Sequence, residues 1–274
     1  MIDILIPTFN GARYLKSQLD SISHQSYPHW RILIRDDGSS DGTLELIEEW
    51  RSSNPDRLCL ISDEEKGLGV SQSFAKLLSY STSPYIMLCD QDDYWYSEKV
   101  KKSLNAIQLE EKKGEGIPIM VCTDLEIVDS ELNSVSKSFW KDRKDSPTLL
   151  EDFEKLIAHS VVTGNTILLN RHAVELVIPI KTNFFLHDQW IAIKVARYGK
   201  IIFLNESLIK YRQHGNNVLG SFRFSKTYLI HKMKYIPYYI NSWIRLKKEL
   251  EMDFSVRRVL LFKIKYNLNK IFQS

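Results

Sequence analysis

Leu88-Cys89-Asp90-Gln91-Asp92-Asp93-Tyr94-Trp95 carries an apolar run straight into three carboxylates within four positions. Carboxylates this close repel one another and burial raises their pKa values, so the cluster needs either solvent or a cation. A solvated acidic loop after a buried strand meets the first need. A hard metal ion bridging to a phosphate meets the second, and the rest of the chain has to decide between them.

Upstream, residues 2–7 read as a short buried strand, and Leu15, Leu19 and Ile22 sit at helical spacing in residues 11–23. Residues 30–35 form a second strand that ends in Asp36-Asp37-Gly38-Ser39-Ser40-Asp41-Gly42, where Ser40 or Asp41 can cap a helix over 43–51. A third strand fits 58–62, Gly67 and Gly69 lead into a helix over 70–80, and 85–89 is the fourth strand. This alternation implies right-handed crossovers and a mostly parallel sheet flanked by helices. Ligands of such sheets bind beyond the carboxyl ends of the strands, so the loops after Pro7, Arg35 and Cys89 share one rim.

Downstream, a helix over 97–113 opens on Ser97 as its cap, and 119–124 is a further strand. Residues 137–146 are polar around Phe139 and Trp140 and are expected to form a mobile loop. Residues 163–170 then begin a second group: a strand, a short helix to Val177, a helix over 188–198, and strands over 200–204 and 208–212.

The chain of 274 residues, 43% hydrophobic and 26% charged, has ordinary globular composition, which does not indicate disorder. Cys59, Cys89 and Cys122 lie in apolar runs without CxxC spacing, so buried thiols are expected rather than a zinc site or a disulfide frame. There is no signal-like N-terminus and no transmembrane-length apolar run, and a cytoplasmic location is expected. Charge is divided unevenly: residues 223–274 hold 12 Lys/Arg against 3 Asp/Glu, and residues 1–222 hold 25 against 31. In that basic tail Ile236, Tyr239, Ile240, Trp243 and Ile244, then Val256, Leu260, Ile264 and Leu268, keep helical spacing among Lys and Arg. Such helices are expected in a membrane interface, and the other reading is a helical hairpin packed on the body.

Neither G-x-G-x-x-G after the first strand nor G-x-x-x-x-G-K-[ST] occurs, which disfavours dinucleotide enzymes and P-loop NTPases. A divalent cation gripped by Asp92, with Asp90 or Asp93 nearby, would hold a phosphate instead. That suits a reaction in which a nucleoside diphosphate departs and its charge must be neutralised. Asp36 and Asp37 could accept hydrogen bonds from a base or ribose, or simply shape an Asp-Gly turn.

Pro7-Thr8-Phe9-Asn10, Asp36 to Thr43, Asp90-Gln91-Asp92-Asp93 with Trp95, Thr163-Gly164-Asn165, His187-Asp188-Gln189-Trp190 and Tyr211-Arg212-Gln213-His214-Gly215-Asn216-Asn217 resemble, in order and spacing, the signatures of inverting family 2 glycosyltransferases. The resemblance spans about residues 2–220. It implies an α/β fold of the GT-A type, a Rossmann-like mostly parallel sheet flanked by helices, with a C-terminal basic helical extension. Residues 1–222 would be the catalytic domain, 1–115 its nucleotide-binding half and 116–222 its acceptor-binding half, with 223–274 the tail.

The same resemblance implies roles. Pro7, Thr8 and Asn10 would line the nucleotide pocket, Asp37 would contact the base with Asp36 in support, and Asp90 would approach the ribose. Asp92 would bind a Mg2+ or Mn2+ ion on the donor diphosphate, and Asp93 would lie behind it or touch the sugar. Asp188 falls where the family keeps its catalytic base, although His187 stands where a Glu often precedes it. Inverting transfer needs such a carboxylate to take the acceptor hydroxyl proton, and the helix N-terminus is expected to hold its pKa down. Trp190 could stack on a sugar ring or pack in the core. Arg212 would clamp the diphosphate, and His214 would bind metal or phosphate.

The motif flavour looks most like the bacterial rhamnosyltransferase branch, which implies dTDP-L-rhamnose as donor, with UDP-hexoses as the other option. The absence of Gln-x-x-Arg-Trp argues against a processive synthase. A lipid-linked saccharide acceptor, peripheral attachment at the inner membrane face through the tail, and no nucleic-acid partner complete the expectation. Competing classes are a metal-dependent nucleotidyltransferase and an inactive sugar-nucleotide or glycan-binding module.

Overall fold

The computed structural model describes residues 1–114, 116–147, 149, 152–181, 186–214, 235–250 and 253–272. Its first half alternates β1 (Ile2–Thr8), α1 (Ala12–Ser23), β2 (Trp30–Asp36), α2 (Thr43–Ser53), β3 (Leu58–Leu60), α3 (Val70–Tyr80) and β4 (Tyr85–Leu88). β1 is buried along its whole length, with Ile2, Ile4 and Ile6 toward one face and Leu5 toward the other, as befits a central strand covered on both sides. Parallel pairing of β1 with β2 and β4, and of β2 with β3, brings the ends of β1, β2 and β4 to one edge.

The second half adds β5 (Tyr94–Trp95), α4 (Lys99–Glu111), β6 (Ile119–Val128), β7 (Ser134–Ser136), α5 (Phe139–Asp142), α6 (Phe153–Ala158), β8 (Leu168–Asn170), α7 (Arg171–Val177), α8 (His187–Tyr198) and β9 (Lys200–Arg212). The sheet order is β3-β2-β1-β4-β8-β6-β9-β5, with β7 on β6. β8 runs antiparallel to both β4 and β6, so β6 and β9 end at the same edge as β1 and β4. The long parallel ladders still carry most of the sheet.

Four local expectations change. The helix expected from Ser97 begins at Lys99, because the Ser97 carbonyl accepts the Ser26 N–H at 2.9 Å and the cap position falls to Glu98. The stretch expected to be mobile holds α5, whose Ser138 hydroxyl accepts the Lys141 N–H at 3.1 Å, while Phe139 and Trp140 are buried and Trp140 Nε1 donates to the Val161 carbonyl at 3.0 Å. The two last strands are one, β9, which keeps pairing with β6 across register shifts around Asp124. Cys89 and Cys122 are buried, but Cys59 points outward from the edge strand β3.

The tail forms α9 (Ile236–Glu249) and α10 (Val256–Phe272) and docks on the body. Trp243, Leu246 and Val259 are buried, each full burial contributing about 1.5–3 kcal/mol. Glu154 of α6 accepts the Ser255 N–H at 3.2 Å and pairs with Arg258 at 3.1 Å, and Lys263 donates to the Ala158 carbonyl at 2.7 Å. Tyr266 donates to Asp145 at 2.6 Å. The outward side leaves Tyr238, Ile244, Leu261, Ile264 and Leu268 exposed beside Arg245, Lys248, Arg257 and Lys265. No helix among the described residues is long and apolar enough to cross a membrane.

Candidate active site

The converging strand ends frame a cleft of about 510 Å³. Pro7, Thr8, Asp37, Asp90 and Asp92 line one side, and Thr163, Gly164, His187 and Asp188 line the other. All the loops expected on one rim are there, joined by the start of α8.

On the wall formed by the ends of β1, β2 and β4 the backbone is fixed by side chains. Asp36 accepts the Thr8 hydroxyl at 2.9 Å and the Gly38 and Ser39 N–H groups at 3.0 and 2.7 Å, so its carboxylate is spent on shaping its own turn. Asn10 ties the same turn to β1: its N–H donates to the Ser39 hydroxyl at 2.8 Å and its side-chain oxygen accepts the Ser40 N–H at 2.9 Å. Asp37 faces the cleft with a carboxylate that accepts Arg35 at 2.7 Å and the Leu68 and Gly69 N–H groups at 3.0 and 2.8 Å. Desolvation pushes its pKa up, but the guanidinium and the two amides outweigh it and hold the group below its usual range.

Arg35 is fully buried and also bonds Asp63 and the Ser73 hydroxyl, which makes it the keystone of this rim. Sequence reading passed it over. Its one signal is a cation inside a strand otherwise apolar, immediately before two aspartates. Gln91 was also missed: its amide accepts from Phe9 N–H at 2.9 Å and donates to the Phe9 carbonyl at 3.0 Å, strapping the acidic loop to β1. Gly11 permits that strap, because a Cβ there would lie 2.3 Å from Gln91 Oε1.

The three clustered acids separate. Asp92 meets His214, with Nε2 2.9 Å from Oδ2. Asp90 is pushed well above the carboxylate range by burial first and by the charges of Asp92 and Asp188 second. Asp93 is fully buried, accepts the Arg212 N–H at 3.0 Å and the Asn165 amide, and does not line the cleft. It braces three loops and is no sugar contact. Arg212 is likewise turned inward, donating to the Asp92 carbonyl at 2.9 Å and lying 4.6 Å over the Tyr14 ring, so it props the acidic loop from behind where a diphosphate clamp was expected. Gly215, Asn216 and Asn217 lie outside the described residues.

On the opposite wall, Asp188 sits in the first turn of α8 and accepts the Gln189 N–H at 2.6 Å. The expected lowering of its pKa is reversed: burial raises it to about 6 against the pull of nearby backbone amides. His187 is held neutral, its pKa lowered to about 3 by burial, with its ring stacked 4.4 Å from Phe74. A Cβ on Gly164 would meet His187 Nε2 at 2.6 Å, which is the physical reason for glycine in Thr163-Gly164-Asn165. Trp190 is core: it is 1% exposed and Nε1 donates to the Val177 carbonyl at 2.9 Å.

Among the described residues no three metal-ligating side chains converge. Asp92 lines the cleft and His214 Nε2 lies 2.9 Å from its carboxylate, so an oxygen and a nitrogen donor stand together that would fit a divalent ion completed by diphosphate oxygens and water.

A mostly parallel α/β sheet whose strand ends set Asp37, Asp90 and Asp92 across a cleft from Asp188 defines a protein of the GT-A class. The family model for glycosyl transferase family 2 matches residues 3–176, and the chain belongs to that family. An uncharacterized glycosyltransferase of Nostoc is 28% identical over 227 residues, covering 79% of this chain and 66% of the relative. The dTDP-rhamnosyl transferase RfbG of Shigella flexneri is 33% identical over 103 residues, 36% of each chain. Among solved structures, S. aureus TarS with UDP-GlcNAc superposes with a TM-score of 0.63 at 18% identity, covering 99% of this chain and 72% of TarS. The mannosyltransferase PcManGT of Pyrobaculum calidifontis with GDP-Man and Mn2+ gives 0.64 at 18% identity, covering 89% of this chain and 64% of that one. The chain spans just under two thirds of the length of the first curated relatives it matches.

Proposed function

We propose that the chain is a metal-dependent inverting glycosyltransferase that moves a sugar from a nucleoside-diphosphate donor to a lipid-linked saccharide in bacterial surface polysaccharide synthesis. One observation carries this reading: a buried carboxylate, Asp188, faces the same cleft as Asp90 and Asp92 from the opposite wall. Asp188 accepts the proton of an acceptor hydroxyl as that oxygen attacks the anomeric carbon, and the bond from that carbon to the diphosphate oxygen breaks. The burial that raises Asp188 to about 6 makes it a better base while leaving it mostly ionised at neutral pH. Pro7, Thr8 and Asp37 hold the nucleoside, Asp90 approaches the ribose, and Asp92 with His214 would hold Mg2+ or Mn2+. That ion would neutralise charge on the departing diphosphate.

dTDP-L-rhamnose is the favoured donor, supported by the motif flavour and the likeness to RfbG, with UDP-hexoses second. The Mn2+ complex of PcManGT supports the metal. The exposed apolar residues of α9 and α10 among basic ones support peripheral attachment at the inner face of the cell membrane.

A donor-hydrolysis screen over dTDP-L-rhamnose, UDP-glucose, UDP-GlcNAc and GDP-mannose, with and without Mn2+, tests the proposal. Nucleotide release from one donor, dependent on Mn2+, is expected. Nucleotide binding without turnover on any donor or acceptor would make the chain a binding module instead.

A further inference from the structure

Residues 157–164 lead from the last turn of α6 to Thr163 and Gly164 on the cleft wall, and the docked tail holds this segment at two successive residues. Lys263 of α10 donates to the Ala158 carbonyl at 2.7 Å, at the end of α6 where a cation is favoured. The same ammonium lies 4.3 Å from the centre of the Tyr239 ring, which ties α9 into the contact. Tyr266 of α10 donates to Asp145 Oδ1 at 2.6 Å, and that oxygen lies 2.9 Å from His159 Nε2. Asp145 and His159 are buried, so water competes little for these bonds. From this anchor the segment reaches Asp188 by two routes. Gln189, next to Asp188 in α8, extends its amide to the Ile157 carbonyl at 3.4 Å. Farther along, the Gly164 N–H hydrogen-bonds the Asp188 carboxylate. Between the two, Trp140 Nε1 pins the Val161 carbonyl at 3.0 Å. One pinned point leaves a segment free to pivot, and the tail supplies the second.

We infer that Lys263 and Tyr266 are positioning residues for sugar transfer: by fixing Ala158 and His159 they fix Gly164 and the start of α8, and so the placement of the Asp188 carboxylate across the cleft. The inference rests on the reading of Asp188 as the base. The tail is then part of the wall that carries the base, in addition to any role at a membrane. Ala158, His159 and Asp145 all lie outside the loops after β1, β2 and β4, where the nucleotide would be held. Losing the anchor therefore slows the chemical step, which is sensitive to small misplacements, and leaves nucleotide affinity as it is.

The test is the kinetics of nucleotide release from dTDP-L-rhamnose, UDP-glucose, UDP-GlcNAc and GDP-mannose, each with Mn2+, by the full chain as wild type, Lys263→Met, Tyr266→Phe and Asp188→Asn. Water takes the place of the acceptor, and vesicles are left out so that membrane attachment contributes nothing. With a donor that wild type turns over, Lys263→Met and Tyr266→Phe are expected to lose about tenfold or more in kcat while KM for the donor stays within about twofold. Calorimetry with the matching nucleoside diphosphate is expected to give unchanged affinity and stoichiometry, which a partly unfolded protein would not. Tyr266→Phe removes a single oxygen and carries the test should Lys263→Met fail to fold. Wild-type kcat in both tail variants, or a fall in nucleotide affinity or stoichiometry that matches the fall in kcat, would overturn the inference alone. Wild-type turnover in Asp188→Asn, or no turnover of any donor by wild type, would overturn it together with the reading of Asp188 as the base.

Discussion

The two walls of the cleft are built by different means. The wall formed by the ends of β1, β2 and β4 is laced by polar side chains that bond backbone: Asp36, Asp37, Asp41, Asn10 and Gln91 each fix a loop, and Arg35 joins Asp37 to Asp63. The opposite wall rests on packing, with His187 stacked on Phe74, Trp190 in the core, and α6 pressed between α8 and the docked tail. A rim of fixed charges is held rigidly by its own hydrogen bonds, whereas a wall held by apolar contacts is set by the packing beneath it.

The comparison is sharpest at Asp188, the one charged group among the described residues that line the cleft on the second wall. Asp188→Asn should lower transfer by about 10²–10⁴-fold while nucleotide affinity stays unchanged. Unchanged turnover would remove Asp188 from the base role. In the wild type kcat/KM should be level above about pH 6 and fall about tenfold per unit below it, because protonated Asp188 cannot accept the hydroxyl proton.

Breaking the polar wall should act through stability. Arg35→Met leaves Asp37 and Asp63 without their shared cation and should cost about 3–5 kcal/mol in urea unfolding, with nucleotide binding lost in parallel. A change below 1 kcal/mol, on the order of a surface substitution, would mean the carboxylates are satisfied without it.

The first half was legible because each strand and helix there keeps its period and each loop carries its turn residues. β1 to β4 and α1 to α3 match the sequence reading within a residue or two. Side-chain direction was not legible. Asp93, Trp190 and Arg212 stand in the right motifs, yet all three point inward, since spacing places a residue in a loop without saying which of its neighbours will take its polar atoms. The raised pKa of Asp188 was hidden for the same reason: the helix N-terminus is visible in the sequence, the burial that overrides it is not.

Smaller effects probe the tail and the strap. Arg257→Gln with Lys265→Gln, both outside the packed face, should weaken binding to vesicles containing anionic lipid by about 1 kcal/mol per charge and leave the melting temperature alone. Unaltered vesicle binding would assign the exposed face of α9 and α10 another role. Gly11→Ala should displace Gln91 from Phe9 and cost about 1–2 kcal/mol of stability, a loss Gln91→Ala should reproduce.

The most direct test of a metal-dependent donor site facing a separate base is a calorimetric titration of UDP and dTDP, with and without Mn2+, into wild type, Asp92→Asn and Asp188→Asn. The geometry predicts Mn2+-enhanced nucleotide binding in wild type and Asp188→Asn, and loss of that enhancement in Asp92→Asn. Nucleotide binding indifferent to Mn2+ in all three proteins would contradict it.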